Sequence, residues 1–384
     1  MRSIERVTRA FHFDKPDRVP LYHIGLGTDF WPAFSYEPPD FQPTQYPPHI
    51  WGGPAFYSTI FARFFYYKWA DEHRKNLGLP KKWWNHEKDG QLLTIDEWGI
   101  IWKSGSVRRD KTMGYPYIGP FQESYDNLDE YQHPDATNDS RYHFWKGIMK
   151  RFGKGRYIYG GPLQAFIYDH SSFLRGFTNI MLDFRKNPNQ IHKLANMVAD
   201  FFCDAVQKIK EVIPNLNAIF VLDDLGTQKG PILSPETFRR FFFEPYKRVI
   251  DLTHDLGMDF ILHCCGNILE LFPIFIDLGI DVMEFDQPNV TGVENYKHYA
   301  EQQKIAFFLS SDLQTTFTQG TPEEVENEVK YYVKEIGNNY GGLAFSSYAD
   351  TRAIEAPRAN IRAFKNAARK WGNYNSQGKI EWMV

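Results

Sequence analysis

The sequence predicts a single (β/α)8 TIM barrel with an irregular, proline- and aromatic-rich N-terminal region. Three observations carry this expectation. From Arg156 onward, short apolar runs alternate with amphipathic helical stretches, as in a parallel sheet covered by helices. No Gly-rich phosphate turn follows any run, whereas a doubly wound sheet usually carries one. Polar residues instead gather at the C-terminal ends of several runs, where barrel enzymes keep their sites. The 384 residues contain no internal repeat, low-complexity tail or flexible Gly/Ser linker, so one domain over 1–384 is expected, with rim insertions over 27–150 and the main βα repeats over 156–370.

Taken in order, the apolar stretch RVPLYHIG (18–25) supplies the first stave. Seven prolines between Pro32 and Pro54 follow. Proline fixes φ and lacks an N–H, so this window reads as loop or edge. The aromatics from Phe61 to Trp84 read as a helix packed on the body. The runs YIYGG (157–161), NAIFVLDD (217–224), DFILHCCG (259–266), DVMEFDQ (281–287), IAFFLSSD (305–312) and GLAFSSYAD (342–350) read as buried strands. Between the first two, Ile191, Leu194, Val198, Phe201, Ala205, Ile209 and Val212 form one helical stripe. Ser234-Pro235-Glu236 opens another helix with a cap and a proline at its first position. Thr321-Pro322-Glu323-Glu324 is a capping box, and Gly337 marks the end of its helix.

Composition excludes several roles. Apolar residues make up 42% of the chain and charged residues 24%, enough to bury a large core. Net charge is −3 with no Lys/Arg-rich block, so neither nucleic acid nor an anionic membrane has an electrostatic footprint. No run of 18 apolar residues suggests a bilayer span. The opening MRSIERVTRAFHFDKPDR lacks the apolar core of a signal peptide. Cys203, Cys264 and Cys265 offer no disulfide framework, and Cys203 falls off the stripe of its helix as a structural residue. The expected location is cytoplasmic.

The sharpest chemical feature is Leu262-His263-Cys264-Cys265-Gly266. Alternation along a strand points His263 and Cys265 to one face and Cys264 to the other. An imidazole beside a thiolate is half of a tetrahedral zinc site; the plainer reading is a layer of small buried side chains. Asp223 and Asp224 end a Val/Leu strand before the loop LGTQKG (225–230). A carboxylate there can bind a cation, move a proton or orient a substrate, or it can cap a helix or pair with Arg239 or Arg240. Asp286 and Asp312 end two further strands, and the same alternatives apply. No G-x-S-x-G elbow supports a serine hydrolase.

RVPLYHIG after FDKPDR, DEWGIIW (96–102), DDLGTQKGPILSPETFRRFFFEPYKRVID (223–251), LHCCGN, GTPEEVENEV (320–329) and APRANIRAF (356–364) together resemble the uroporphyrinogen decarboxylase superfamily, from about residue 4 to residue 370. The resemblance implies a single (β/α)8 barrel with one of two chemistries. The decarboxylase proper grips tetrapyrrole carboxylates with an arginine-rich segment after the first strand. Here that place reads HIGLGTDFWPAF (23–34), without arginine. The other branch comprises cobalamin-dependent methyltransferases that hold zinc with His-x-Cys and a distant Cys near the last strand. His263 and Cys265 match the first two positions. The third falls at Asp350, a departure, with Ser347 and Tyr348 as neighbouring alternatives; carboxylate oxygen is a legitimate zinc ligand.

The resemblance therefore implies a zinc-dependent methyltransferase working with a separate corrinoid protein that carries the cobalamin. Metal ligands would be His263, Cys265 and Asp350, with Asp223, Asp224 and Asp312 as catalytic carboxylates, and a homodimer is the expected assembly. An aromatic content of 17% suits a methoxylated aromatic or another flat O-methyl substrate, and the zinc could equally serve a thiol acceptor. The alternatives are a metal-free, decarboxylase-like carboxy-lyase and a lapsed barrel that only binds a ligand.

Overall fold

The structure is a computed structural model that describes residues 1–22, 28–35, 72, 75–76, 87–88, 91–104, 115–138, 154–162, 165–338, 340–348 and 354–383. Its framework is an eight-stranded parallel sheet. The strands are β1 (Leu21–Tyr22), β2 (Phe30–Ser35), β7 (Tyr157–Pro162), β8 (Ala218–Leu222), β9 (Asp259–His263), β10 (Val282–Phe285), β11 (Ala306–Leu309) and β12 (Leu343–Ser346). Their order is β1-β12-β11-β10-β9-β8-β7-β2, a sheet curled like a TIM barrel until its end strands β1 and β2 approach each other without forming a ladder. That seam is held by Asp29 rather than by a ladder. Its N–H donates to the Leu21 carbonyl at 3.0 Å, and its carboxylate accepts from the Leu21 N–H at 3.1 Å. Arg6 (2.8 Å) and Arg18 (2.9 Å) donate to the same buried carboxylate, which satisfies a charge that burial would otherwise penalise.

The expected strands all form, because each apolar run alternates between two buried faces. Outward residues such as Ile219, Val221, Phe260, Leu262, Met283 and Phe307 pack under the helices. Inward residues fill the barrel: Phe30, Tyr157, Tyr159, Ala218, Phe220, Ile261, Val282, Ala306, Phe308 and Ala344. The N-terminal helix α1 (Ser3–Phe11) plugs one end with Val7 and Phe11. Phe30 stacks on Phe308 with ring centroids 4.8 Å apart. Pro32 lies within β2, an end strand of the ladder, where the missing N–H costs little.

The covering helices include α2 (Ile167–Arg175), α3 (Phe177–Lys186), α4 (Pro188–Val212), α5 (Pro235–Phe241) and α6 (Phe243–Asp255). The stripe on α4 is buried as expected, apart from the half-buried Val212 near its end. Ser234 caps α5 by accepting from the Thr237 N–H at 3.1 Å. Thr321 and Glu324 complete the capping box of the helix Pro322–Glu335. Cys203 is half-buried on α4. Among the described residues, no helix is long and apolar enough to cross a membrane.

One expectation needs correction. The N-terminal third is not irregular throughout, since β3 (Glu87–Lys88), β4 (Gln91–Ile95), β5 (Ile101–Ser104) and β6 (Tyr115–Ile118) form an antiparallel sheet. The DEWGII segment builds its central turn. Asp96 accepts from the Trp98 and Ile100 N–H groups, both at 2.9 Å, and from Trp102 Nε1 at 2.8 Å, while Gly99 adopts φ +76°. The aromatic residues between Phe61 and Trp84 lie outside the described residues.

Beneath this turn, His170 on α2 is buried against Trp98, with ring centroids 4.3 Å apart. Burial holds its pKa down to about 3. The unfolded chain takes up this proton near its usual pKa of about 6.5, whereas the folded chain does so only near the depressed value. Stability is therefore lost as pH falls from about 6.5 toward the depressed value, by about 2 kcal/mol at pH ~5. In chemical unfolding, the loss between neutral and mildly acidic pH is expected to shrink by this amount in His170→Leu. An equal loss in both proteins would contradict the assignment.

Candidate metal centre

His263 is the last residue of β9 and faces the barrel interior. In register it pairs with Leu222 on β8 and with Glu284 on β10. As the chain leaves the strand, Cys264 turns outward and its Sγ accepts from the Leu225 N–H at 3.2 Å. Cys265 returns to the side of His263, with Sγ 3.5 Å from Nε2. Asp224, just past β8, completes the group. Its Oδ1 accepts from the Cys265 N–H at 2.9 Å and lies 3.7 Å from His263 Nε2.

Two glycines allow this meeting of loops. Gly266 has φ +82°, and a Cβ there would fall 2.4 Å from the Gly226 carbonyl carbon. The backbones therefore touch, and Asn267 N–H donates to the Thr227 carbonyl at 2.7 Å. Side chains at either glycine would push Asp224 away from Cys265.

Glu284 fixes the histidine. Its buried carboxylate bonds Nδ1 of His263. A carboxylate only accepts, so Nδ1 carries a proton and Nε2 is the ring atom that faces Cys265 and Asp224. Burial opposes charging the ring, but Glu284 and Cys265 outweigh it and raise the His263 pKa. Burial also pushes the Cys265 thiol up to about 12, against the pull of His263. Asp286, two residues along from Glu284, joins His263 and Glu284 in a second close group. Burial first, then the Glu284 charge, pushes its carboxyl up to about 8.

The donor set fits a tetrahedral ion. At zinc bond lengths of about 2.0–2.3 Å, tetrahedral ligand atoms lie roughly 3.3–3.8 Å apart. The observed Sγ–Nε2 and Nε2–Oδ1 separations are 3.5 and 3.7 Å, and all three donors lie within 4.8 Å of one another.

The other expected residues separate. Asp223 faces the helices: it accepts from the Tyr168 N–H at 3.0 Å, the Asp169 N–H at 2.7 Å and the Tyr246 hydroxyl. It therefore caps the first turn of α2 across the fold. Neither Asp223 nor Asp224 pairs with the arginines weighed for them, since Arg239 binds Asp277 at 2.6 Å and Arg240 lies over Phe241. Asp312 is buried and accepts from the N–H groups of Asn289, Gln314 and Thr315 and from the Thr315 hydroxyl, at 2.9–3.2 Å. Asp350 lies outside the described residues. Ser347 is buried, with its N–H donating to the Tyr22 carbonyl at 3.1 Å, and Tyr348 is half-buried. Two participants were not foreseen. Glu284 is a lone acid inside the apolar run VMEF, a signal available in the sequence. Asp169, whose Oδ2 accepts from the Asp224 N–H at 2.7 Å, carried none.

A family model described as uroporphyrinogen decarboxylase (URO-D) matches residues 106–371. The chain belongs to the uroporphyrinogen decarboxylase family. The metal-like cluster of this family member lies inside the matched region. A methyltransferase from Methanosarcina mazei shares its fold, with TM-score 0.61 and 14% identity over 96% of this chain and 99% of that one. A D-psicose 3-epimerase from Clostridium cellulolyticum H10 is far more distant, with TM-score 0.37 and 12% identity over 64% of this chain and 84% of that one. No curated protein matches the sequence.

Proposed function

We propose that this family member is a metal-dependent methyltransferase that moves a methyl group between a small methylated donor, O-methyl by expectation, or a thiol and a separate corrinoid protein. The observation that carries the reading is the His263–Cys265–Asp224 triangle, whose edges suit zinc. The shared fold with a methyltransferase supports it. So does the lack of any arginine between His23 and Phe34, since a polycarboxylate substrate needs cationic partners.

Nε2 of His263, Sγ of Cys265 and Oδ1 of Asp224 would hold the ion, with Asp350 as a further candidate by the family resemblance. When bound, zinc supplies Lewis acidity at the heteroatom bearing or receiving the methyl group, and the partner's cobalamin supplies the methyl carrier. The chain's own residues do the rest. Glu284 holds the His263 ring in one tautomer. Asp286, whose carboxyl is raised by burial and by the Glu284 charge, would be the proton source for a leaving group. Asp223, spent on three donors, anchors α2 and so positions Asp169 and Asp224.

The test is absorbance-monitored demethylation, using a panel of methoxylated aromatics with reduced cobalamin as acceptor. Turnover is expected with zinc-loaded protein and not after chelation. Equal turnover before and after chelation would contradict the metal role, and porphyrinogen decarboxylation without metal would establish the lyase instead.

A further inference from the structure

Beside the metal-like triangle opens a cleft of about 590 Å³ between β6, the α2–α3 turn and the loop after β8, within the size range of small-molecule sites. Asp224, a corner of the triangle, is part of its lining, so the cleft and the metal-like group share a wall. Tyr115 from β6 and Phe177 from the start of α3 line it as well. Both rings are largely solvated, at 52% and 55% exposure, and among the described residues neither is in contact with another ring. Phe173, also in the lining, is by contrast used by the fold and packs edge-on against Trp102 with ring centroids 5.4 Å apart.

Charge decides which ligands suit the place. Asp224 accepts the Cys265 N–H and would hold the ion, and Asp169 accepts the Asp224 N–H, so both carboxylates are engaged within the protein. Among the described residues no lysine or arginine lines the cleft. Lys103 is turned onto the ring of Tyr117, another lining residue, 4.9 Å from its centroid. A carboxylate entering here would lose hydration without gaining a cationic partner. Two uncovered rings and no charge partner share one preference, a flat and uncharged aromatic ring.

We propose that this cleft binds the ring of an uncharged methoxylated arene at the Asp224 edge of the triangle and selects against arenes that carry a carboxylate. Binding and charge selection rest on the cleft alone; only the ligand's place as methyl donor rests on the methyltransferase reading. The two can therefore fail separately.

The test is calorimetric titration of the full chain, without a corrinoid partner, with methoxybenzene, 4-methoxybenzoate and methoxycyclohexane. The second ligand adds a charge and the third keeps the size without the flat ring. Methoxybenzene is expected to bind at least about tenfold more tightly than the benzoate, which brings an unpaired charge. It should bind at least about threefold more tightly than the saturated ether, which cannot stack. Phe177→Ala is expected to weaken methoxybenzene about tenfold without lowering the unfolding temperature, because that ring is largely solvated, and Phe177→Trp should keep the binding. Equal or tighter binding of the benzoate or of the saturated ether would overturn the proposal. So would unchanged affinity in Phe177→Ala, or no methoxybenzene binding by cooperatively folded protein. An arene that binds in this pattern and is never demethylated would sink the methyltransferase reading and leave the binding claim standing.

Discussion

Cys265→Ala is expected to lose zinc and methyl-transfer activity together. Removing the thiolate takes one of three donors from a site in which each contributes a bond, so affinity should fall at least about 100-fold and turnover to background. His263→Ala should do the same, while Glu284→Gln, which keeps the ligands but disturbs the tautomer, should cost about 10–100-fold in affinity. The metal-free site also holds protons that the ion must displace. Burial pushes the Cys265 thiol up to about 12, and Glu284 helps to raise His263 above its usual range. Metal affinity should therefore rise with pH. Competition with a chromophoric chelator at several pH values measures both effects. Stoichiometric zinc in Cys265→Ala would remove the thiolate from the site.

Asp223→Ala should destabilise the fold by about 3–5 kcal/mol, whether or not metal is present. The substitution leaves the N–H groups of Tyr168 and Asp169 and the hydroxyl of Tyr246 without an acceptor in a fully buried place. Asp223→Asn, which can still accept, should cost less. Chemical denaturation of the apo proteins separates this structural role from a catalytic one. Full stability with lost turnover in Asp223→Ala would restore Asp223 as a catalytic carboxylate.

The barrel was legible because its strands are continuous apolar runs, and caps such as Ser234 and Thr321 are local chemistry that needs no tertiary partner. The His263–Cys265 pair was legible for the same reason, since strand alternation fixes which side chains share a face. The role of each carboxylate was not. Asp223 and Asp224 are adjacent in sequence and diverge because one faces the helices and the other the barrel mouth. Which of them stays free depends on α2, whose first turn takes up Asp223. Glu284 meets His263 only through the register between β9 and β10, a relation the sequence does not state. The antiparallel sheet over Glu87–Ile118 was missed because its strands are short and its register depends on the Asp96 turn.

The central claim is a metal held by His263 and Cys265 with Asp224 beside them, and zinc-edge X-ray absorption on protein purified without chelator tests it most directly. The account predicts about one zinc per chain with a single sulfur neighbour near 2.3 Å and nitrogen or oxygen neighbours near 2.0–2.1 Å. The sulfur shell should vanish with Cys265→Ala, and the nitrogen/oxygen shell should change with Asp224→Ala. Protein without bound metal, or zinc without a sulfur neighbour, would contradict it.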